Sequence, residues 1–154
     1  MLDLYVDADG CAVKEEVYRV AERLQLKVIL VANKRLLHPP DPRISMITVP
    51  GGLDVADDWI AEHIGPGDIC ITSDIPLAAR CLLKRARVLG PKGHEFTDES
   101  IGNALATREL MSHLRGIGEV TGGPSAMAKK DRSNFLSNLD RVIQAIKRHP
   151  PASI

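Results

Sequence analysis

The stretch that decides the fold runs from residue 2 to residue 10 and reads Leu-Asp-Leu-Tyr-Val-Asp-Ala-Asp-Gly. Its first part, Leu2 to Val6, has the length and composition of a buried β-strand, which ends at the acidic turn. Beyond the turn, apolar residues recur at helical spacing as far as Leu24, and Lys27 to Ala32 is a second, nearly continuous apolar run. This order of strand, helix and strand predicts a βαβ unit.

The same alternation continues along the chain. It predicts strands at 44–49, 68–72 and 86–89 and helices at 54–64, 75–84, 97–115 and 131–148, separated by glycine and proline. We therefore expect one α/β domain with a central, mostly parallel five-stranded sheet and helices on both faces. Its α/β part spans 1–115, a glycine- and lysine-containing flexible loop spans 116–130, and 131–154 adds a C-terminal helix that packs on the same domain.

Composition limits the classes of function. With 154 residues, 44% of them hydrophobic, the chain can bury a core without disulfides. Lysine plus arginine equals aspartate plus glutamate at 20 each, so any charge-driven binding must be local. The cysteines, Cys11, Cys70 and Cys81, lack Cys-x-x-Cys spacing, which favours reduced thiols. No apolar run approaches the roughly 18 residues of a membrane span, and the first residues lack a signal peptide's basic charge. We expect a soluble, cytoplasmic protein with no membrane partner.

Acidic residues follow two of the predicted strands and open one predicted helix. In an open parallel sheet, ligands bind outside the carboxyl ends of the strands, where these positions meet. Carboxylates gathered at one edge must share protons or bind a cation, and oxygen ligands suit Mg²⁺ or Mn²⁺. The candidate metal ligands are Asp7, Asp9, Asp54, Asp57, Asp58 and Asp74.

Helix capping is the alternative use for several of these acids. Asp9 would cap the first helix, Asp54 and Asp57 have the spacing of a capping box, and Asp74 precedes a helix with proline in its first turn. Asp7 differs because it ends a strand, where no cap is required. The combination of acids at one edge therefore favours a metal site.

Polar and basic residues are predicted at the same edge. The candidates for binding phosphate or substrate are Asn33, Lys34 and Arg35 after the second strand, Thr72 and Ser73 after the fourth, and Lys92 after the fifth. A metal flanked by cations is the arrangement that phosphoryl chemistry uses, whereas a solvated loop is the alternative. Lys129, Lys130 and Arg132 either clamp a polyanion or only solvate the surface.

Several stretches resemble the YaiI/YqxD family, which consists largely of uncharacterised bacterial proteins and is grouped with PIN-like domains. They are Tyr5–Cys11, Gly52–Asp58, Ile71–Ala78, and Gly122–Pro124 with Asp131–Arg132. The resemblance implies a three-layer PIN-like fold. PIN-like nucleases hold metal with acids after the first strand, in a middle helix and after the fourth strand. The matching positions are Asp7, one of Asp54, Asp57 and Asp58, and Asp74, while Asp9 is an addition to that pattern.

Three functions compete at this point. The first is metal-dependent hydrolysis of phosphodiesters, with RNA as the substrate and Asp7 and Asp74 as the catalytic residues that hold the metal. The second is a phosphatase similar to the haloacid dehalogenases, because Asp7-x-Asp9 matches their nucleophile and acid, with Ser73 and Lys84 in supporting roles. The third is a PIN-like module that binds nucleic acid or protein without cutting.

Overall fold

A computed structural model of the chain describes residues 2–9, 11–52, 54–102 and 127–150. The strands and helices are β1 (Asp3–Asp7), α1 (Lys14–Leu24), β2 (Lys27–Ala32), β3 (Ile44–Thr48), α2 (Val55–His63), β4 (Ile69–Ile71), α3 (Ile75–Leu83), β5 (Arg87–Leu89), β6 (Glu95–Phe96) and α4 (Lys129–Arg148). Residues 98–102 are also helical.

These strands form one sheet in the order β3-β2-β1-β4-β5-β6. The first five are parallel to one another, and β6 pairs antiparallel with β5. The predicted α/β class and mostly parallel sheet are confirmed. The structure adds a sixth strand to the five predicted, because β6 has only two residues and exists through its pairing with β5 rather than through a pattern of its own.

Helices cover both faces of the sheet, as the alternation of side chains along β1 illustrates. Leu4 and Val6 belong to a core packed by α1 and α4, whereas Tyr5 belongs to a second core packed by α2 and α3. Successive residues of a strand point to opposite faces, so a run of apolar residues fills both cores at once. This arrangement has three layers, and it brings the carboxyl ends of β1, β2, β4 and β5 to a single edge.

The C-terminal helix begins two residues before the predicted start at Asp131. The Asp131 carboxylate accepts a hydrogen bond from the backbone N–H of Ala128 at 2.9 Å, which stabilises the first turn of α4. Residues 98–102 of the predicted helix 97–115 are helical, and residues 127 and 128 of the predicted loop Gly116–Lys130 have no regular structure. The other parts of this helix and loop before Lys129 fall on positions 103–126, outside the described residues. No helix within the described part of the chain is long and apolar enough to cross a membrane.

Candidate metal centre

Asp7 is the last residue of β1 and faces the carboxyl edge of the sheet. Its Oδ2 accepts a hydrogen bond of 2.8 Å from Oγ1 of Thr72, the buried residue that follows β4. The same hydroxyl oxygen accepts a bond of 3.0 Å from the backbone N–H of Asp74. Thr72, predicted as a substrate contact, is therefore engaged inside the protein, where it fixes Asp7 relative to the start of α3.

Asp74 caps α3 as its sequence predicts. Its Oδ1 accepts a hydrogen bond of 2.8 Å from the backbone N–H of Leu77, and Pro76 lies in the first turn of the helix. A cap uses one carboxylate oxygen, so the second stays available to a ligand. Ser73, one residue earlier, is exposed.

The three acids at the start of α2 have different surroundings. Asp54 precedes the helix with φ of 63° in the left-handed region, and its side chain makes no capping bond. The capping box considered for Asp54 and Asp57 is therefore not formed. Asp57 is half-buried and turned toward the sheet edge, where it lines a pocket with Asp7.

Asp58 does not line this pocket. Its Oδ1 accepts a bond of 2.7 Å from the Arg80 guanidinium of α3, with both side chains about half exposed. Arg80 is a contributor to the site that the sequence analysis missed. No local pattern could have indicated it, because the contact depends on the packing of α2 against α3.

A pocket of about 140 Å³ gathers most of the predicted acids. It is lined by Asp7, Asp9, Asn33, Gly52, Asp54, Ala56 and Asp57. Asp9 does not cap α1; its Oδ2 accepts a bond of 2.9 Å from the backbone N–H of Asn33, which joins the loops after β1 and β2. A smaller pocket of about 30 Å³ lies beside it and is lined by Asp7, Asp9, Cys11, Ile71, Thr72, Ser73 and Pro91.

The acids of this edge influence one another electrostatically. Burial raises the pKa of Asp7, the hydrogen bond from Thr72 opposes that rise, and the charges of Asp74 and Asp9 add to it. Burial also raises the pKa of Asp57 to about 6, with further increases from Asp74, Asp7 and Asp54 and a smaller opposing effect of Arg80. Asp74 therefore belongs to the same electrostatic cluster although it does not line the larger pocket.

The side chains of the acidic cluster suit the predicted metal in chemistry but not as a closed ligand shell. All ligands in the cluster are carboxylate oxygens, which suit Mg²⁺ or Mn²⁺. Within the described residues, however, no three side chains of histidine, cysteine, aspartate or glutamate converge on a point that holds a metal ion. Mg²⁺ commonly keeps several waters and uses one or two carboxylates. The residues present therefore fit a largely hydrated cation rather than a closed cage of protein ligands.

The predicted basic contacts lie around the acids rather than among them. Lys34 and Arg35 are exposed in the loop that follows Asn33, a residue of the larger pocket. Lys92 is exposed in the turn after β5, next to Pro91 of the smaller pocket. The two groups stand on opposite sides of the acidic pocket, because β2 and β5 flank β1 and β4 in the sheet.

These features define a class of protein, a three-layer α/β domain with an acidic pocket at the carboxyl edge of its parallel sheet. A family profile described as "Uncharacterized BCR, YaiI/YqxD family" matches residues 5–145. The chain belongs to that family.

Relatives of known sequence support the assignment over the whole chain. A UPF0178 protein of Paramagnetospirillum magneticum is 58% identical over 151 residues, covering 98% of this chain and 100% of the relative. UPF0178 proteins of Bradyrhizobium sp. and Rhodospirillum rubrum are 53% and 54% identical, covering 99% and 96% of this chain and 93% and 99% of their own lengths. No solved structure matches the chain.

Proposed function

We propose that this protein is a phosphodiesterase that depends on Mg²⁺ or Mn²⁺ and cleaves RNA. The observation that carries the proposal is the acidic pocket, in which burial first, and then the charges of Asp74, Asp7 and Asp54, raise the pKa of Asp57 to about 6. Carboxylates held this close repel one another, and a bound proton or cation reduces the cost of that repulsion. A pocket with these ligands at the carboxyl edge of a parallel sheet is a typical place for metal-dependent phosphoryl chemistry.

Asp7 and Asp74 are the residues that would hold the metal directly. The hydroxyl of Thr72 bonds to the carboxylate of Asp7 and to the backbone of Asp74, so the two acids are held in one arrangement before any ligand binds. Asp9, Asp54 and Asp57 would accept hydrogen bonds from the waters around the ion. When bound, the metal would polarise the phosphate and lower the pKa of a coordinated water.

The basic residues would bind the phosphates on either side of the cleaved bond. The loop after β2 and the turn after β5 are separated by three strand spacings, a distance of about 14 Å. Lys34 and Arg35 would therefore contact the backbone on one side of the pocket and Lys92 on the other. Contacts to phosphate carry no sequence information, so we expect little preference for base sequence.

The phosphatase alternative is less well supported by the geometry. It needs a lysine near Asp7, and the lysine considered for that role, Lys84, follows the last turn of α3. A helix of nine residues is about 13.5 Å long, so Lys84 lies toward the opposite edge of the sheet from Asp74, which caps the first turn. A non-catalytic module that binds RNA is the other alternative, and it differs from the proposed enzyme in binding RNA without cleaving it.

The decisive experiment compares cleavage of labelled single-stranded RNA by the wild type, Asp7→Asn and Asp74→Asn with Mn²⁺, with Mg²⁺ and with EDTA. Asp140→Asn serves as the control, since it removes the α4 carboxylate of a surface pair with Arg23 on α1. We expect metal-dependent cleavage that both pocket substitutions abolish and the control retains. Absence of cleavage by the wild type, or cleavage that survives both pocket substitutions, contradicts the proposal.

RNA binding measured in parallel separates the alternatives. Retained binding by a wild type that never cleaves would indicate the binding module. Mn²⁺ binding, followed by electron paramagnetic resonance without RNA, tests the cation site by itself. We expect it to weaken at least tenfold in Asp7→Asn and to be unchanged in Asp140→Asn.

A further inference from the structure

The two edges of the sheet are protected to different extents. At one edge, β6 has only two residues, and Glu95 accepts bonds of 2.6 and 2.9 Å from the guanidinium of Arg87 on β5. Short strands and charged side chains are the usual means of blocking unwanted pairing at an edge. At the other edge, β3 has five residues, Ile44–Thr48, and none is charged or proline. Among the described residues, one edge of the sheet is thus protected and the other is left able to pair.

The backbone of β3 presents a regular set of unused groups at this edge. Arg43 O accepts from β2 and Val49 N donates to β2, so the alternate residues Ser45 and Ile47 also direct their backbone groups toward β2. The residues between them, Ile44, Met46 and Thr48, direct theirs outward. Among the described residues, only the N–H of Ile44 has a partner there, namely Asp41 O at 2.9 Å.

The side chains of β3 can be buried on both faces of the sheet, because none of them is charged. Ile44 and Met46 are half-buried against one core, and Ile47 is half-buried against the other. Ser45 and Thr48 are exposed, so the described structure leaves the strand open to contact. An exposed, uncharged strand of this kind is a template for pairing with another strand.

We propose that β3 pairs antiparallel with β3 of a second copy of this chain, about a twofold axis at Met46. In this register Met46 lies opposite Met46, and Ile44 lies opposite Thr48 on each side. The two Met46 residues exchange both backbone hydrogen bonds, and each Thr48 N–H donates to the free carbonyl of Ile44 in the other copy. The bond from Ile44 to Asp41 is kept.

The sequence of β3 fits a second copy because the pairing is self-complementary. A twofold contact places the same patch on both subunits, so any charge near the axis would face its own copy. The strand has no such charge, and its apolar residues meet apolar or hydroxyl side chains on each face. The result is a continuous sheet that runs through both copies, with the acidic pockets at opposite edges.

A contact made by one strand is smaller than a standard interface of about 1,600 Å², so we expect a weak, reversible dimer. Sedimentation equilibrium of the full chain should give 16.8 kDa at low concentration and approach twice that mass at several hundred micromolar. A mass of one chain at all concentrations overturns the proposal. It does so even if a strand of another protein pairs with β3, because the proposed partner is a second copy of this chain.

Cysteine cross-linking tests the register. Met46→Cys places two thiols opposite each other with Cα atoms about 5.5 Å apart, within the range of a disulfide. Thr48→Cys is the matched control, since it lies on the same face and is more exposed, yet the Cα atoms of its two copies are about 14 Å apart in this register. Diamide, which accepts the two electrons and two protons, should cross-link Met46→Cys and leave Thr48→Cys and the wild type monomeric on a non-reducing gel. Equal cross-linking of the two variants, or none in Met46→Cys, overturns the register.

Two further variants test the contact without cross-linking. Met46→Lys brings two ammonium groups face to face and should raise the dissociation constant at least tenfold. Thr48→Pro removes an outward N–H without removing a bond to β2, and should have the same effect. Thermal unfolding at low concentration shows whether each variant is folded. Unchanged dimerisation by both folded variants contradicts the proposal.

Discussion

Replacing Asp57 with asparagine should stabilise the protein at neutral and alkaline pH. The pKa of Asp57 is raised from 3.8 to about 6, so the folded state disfavours the ionised carboxyl. A pKa shift of about two units corresponds to about 3 kcal/mol of cost for ionising the carboxyl in the folded state. Because Asp57 is half exposed, solvent screening reduces that cost. We expect Asp57→Asn to raise the free energy of unfolding by about 1 kcal/mol at pH 8, or the melting temperature by about 2–4 °C.

The stabilisation by Asp57→Asn should depend on pH. Below pH 3.8 the carboxyl is protonated in both the folded and the unfolded state, so its replacement changes nothing through this effect. As the pH rises through 6, the folded protein bears the full cost of the charge. The gain from Asp57→Asn should therefore appear between pH 4 and pH 6 and stay constant above that range.

Melting temperatures by circular dichroism, in EDTA to remove bound cations, measure the effect. Asp140→Asn is the control, because it removes the same charge from an exposed pair with Arg23 and should lower stability by at most about 1 kcal/mol. A lower melting temperature for Asp57→Asn at pH 8 would refute the reasoning. So would a gain of equal size at pH 4 and pH 8.

Two other substitutions test how the site and the fold are held. Thr72→Val keeps the shape of the side chain but removes the bonds to Asp7 and to the backbone of Asp74; urea unfolding should show a loss of about 1–3 kcal/mol, whereas exposed Ser73→Ala should be nearly neutral. Gly93→Ala should cost at least about 2 kcal/mol, because φ is +98° and a Cβ would meet the backbone of α4 at 2.8–2.9 Å. Gly51→Ala, where a Cβ meets nothing within 4 Å, should not destabilise. Equal effects within either pair would contradict the contacts described.

The sequence predicts the main strands and helices well because their signals are local. Lys27–Ala32 has the same bounds in the sequence and in the structure, since an apolar run between polar turns marks a buried strand. By contrast, β6 consists only of Glu95 and Phe96, which is too short to show a periodic pattern in the sequence. It is a strand because it pairs with β5. The early start of α4 at Lys129 follows from the bond between Ala128 and Asp131, which only the folded geometry shows.

The predicted gathering of acids at one edge follows from topology alone, but the partner of each acid does not. Asp7 and Asp74 meet because β1 and β4 are parallel neighbours, and this holds for any loop conformation. The roles of Thr72 and Asp58 depend on side-chain contacts across elements. The buried hydroxyl of Thr72 bonds to Asp7 and to the backbone of Asp74, and Asp58 bonds to Arg80. Neither contact is encoded by spacing along the chain.

The pairing of Asp58 with Arg80 has a consequence for the charge of the pocket. Arg80 already lowers the pKa of Asp57, so its charge reaches the acidic cluster. The bond of 2.7 Å engages the guanidinium with Asp58, and Arg80 has the smallest of the effects on Asp57. A cation site needs that negative charge to be retained until the ion arrives. If the pocket binds the proposed cation, the bond to Asp58 would limit the share of the Arg80 charge that opposes binding.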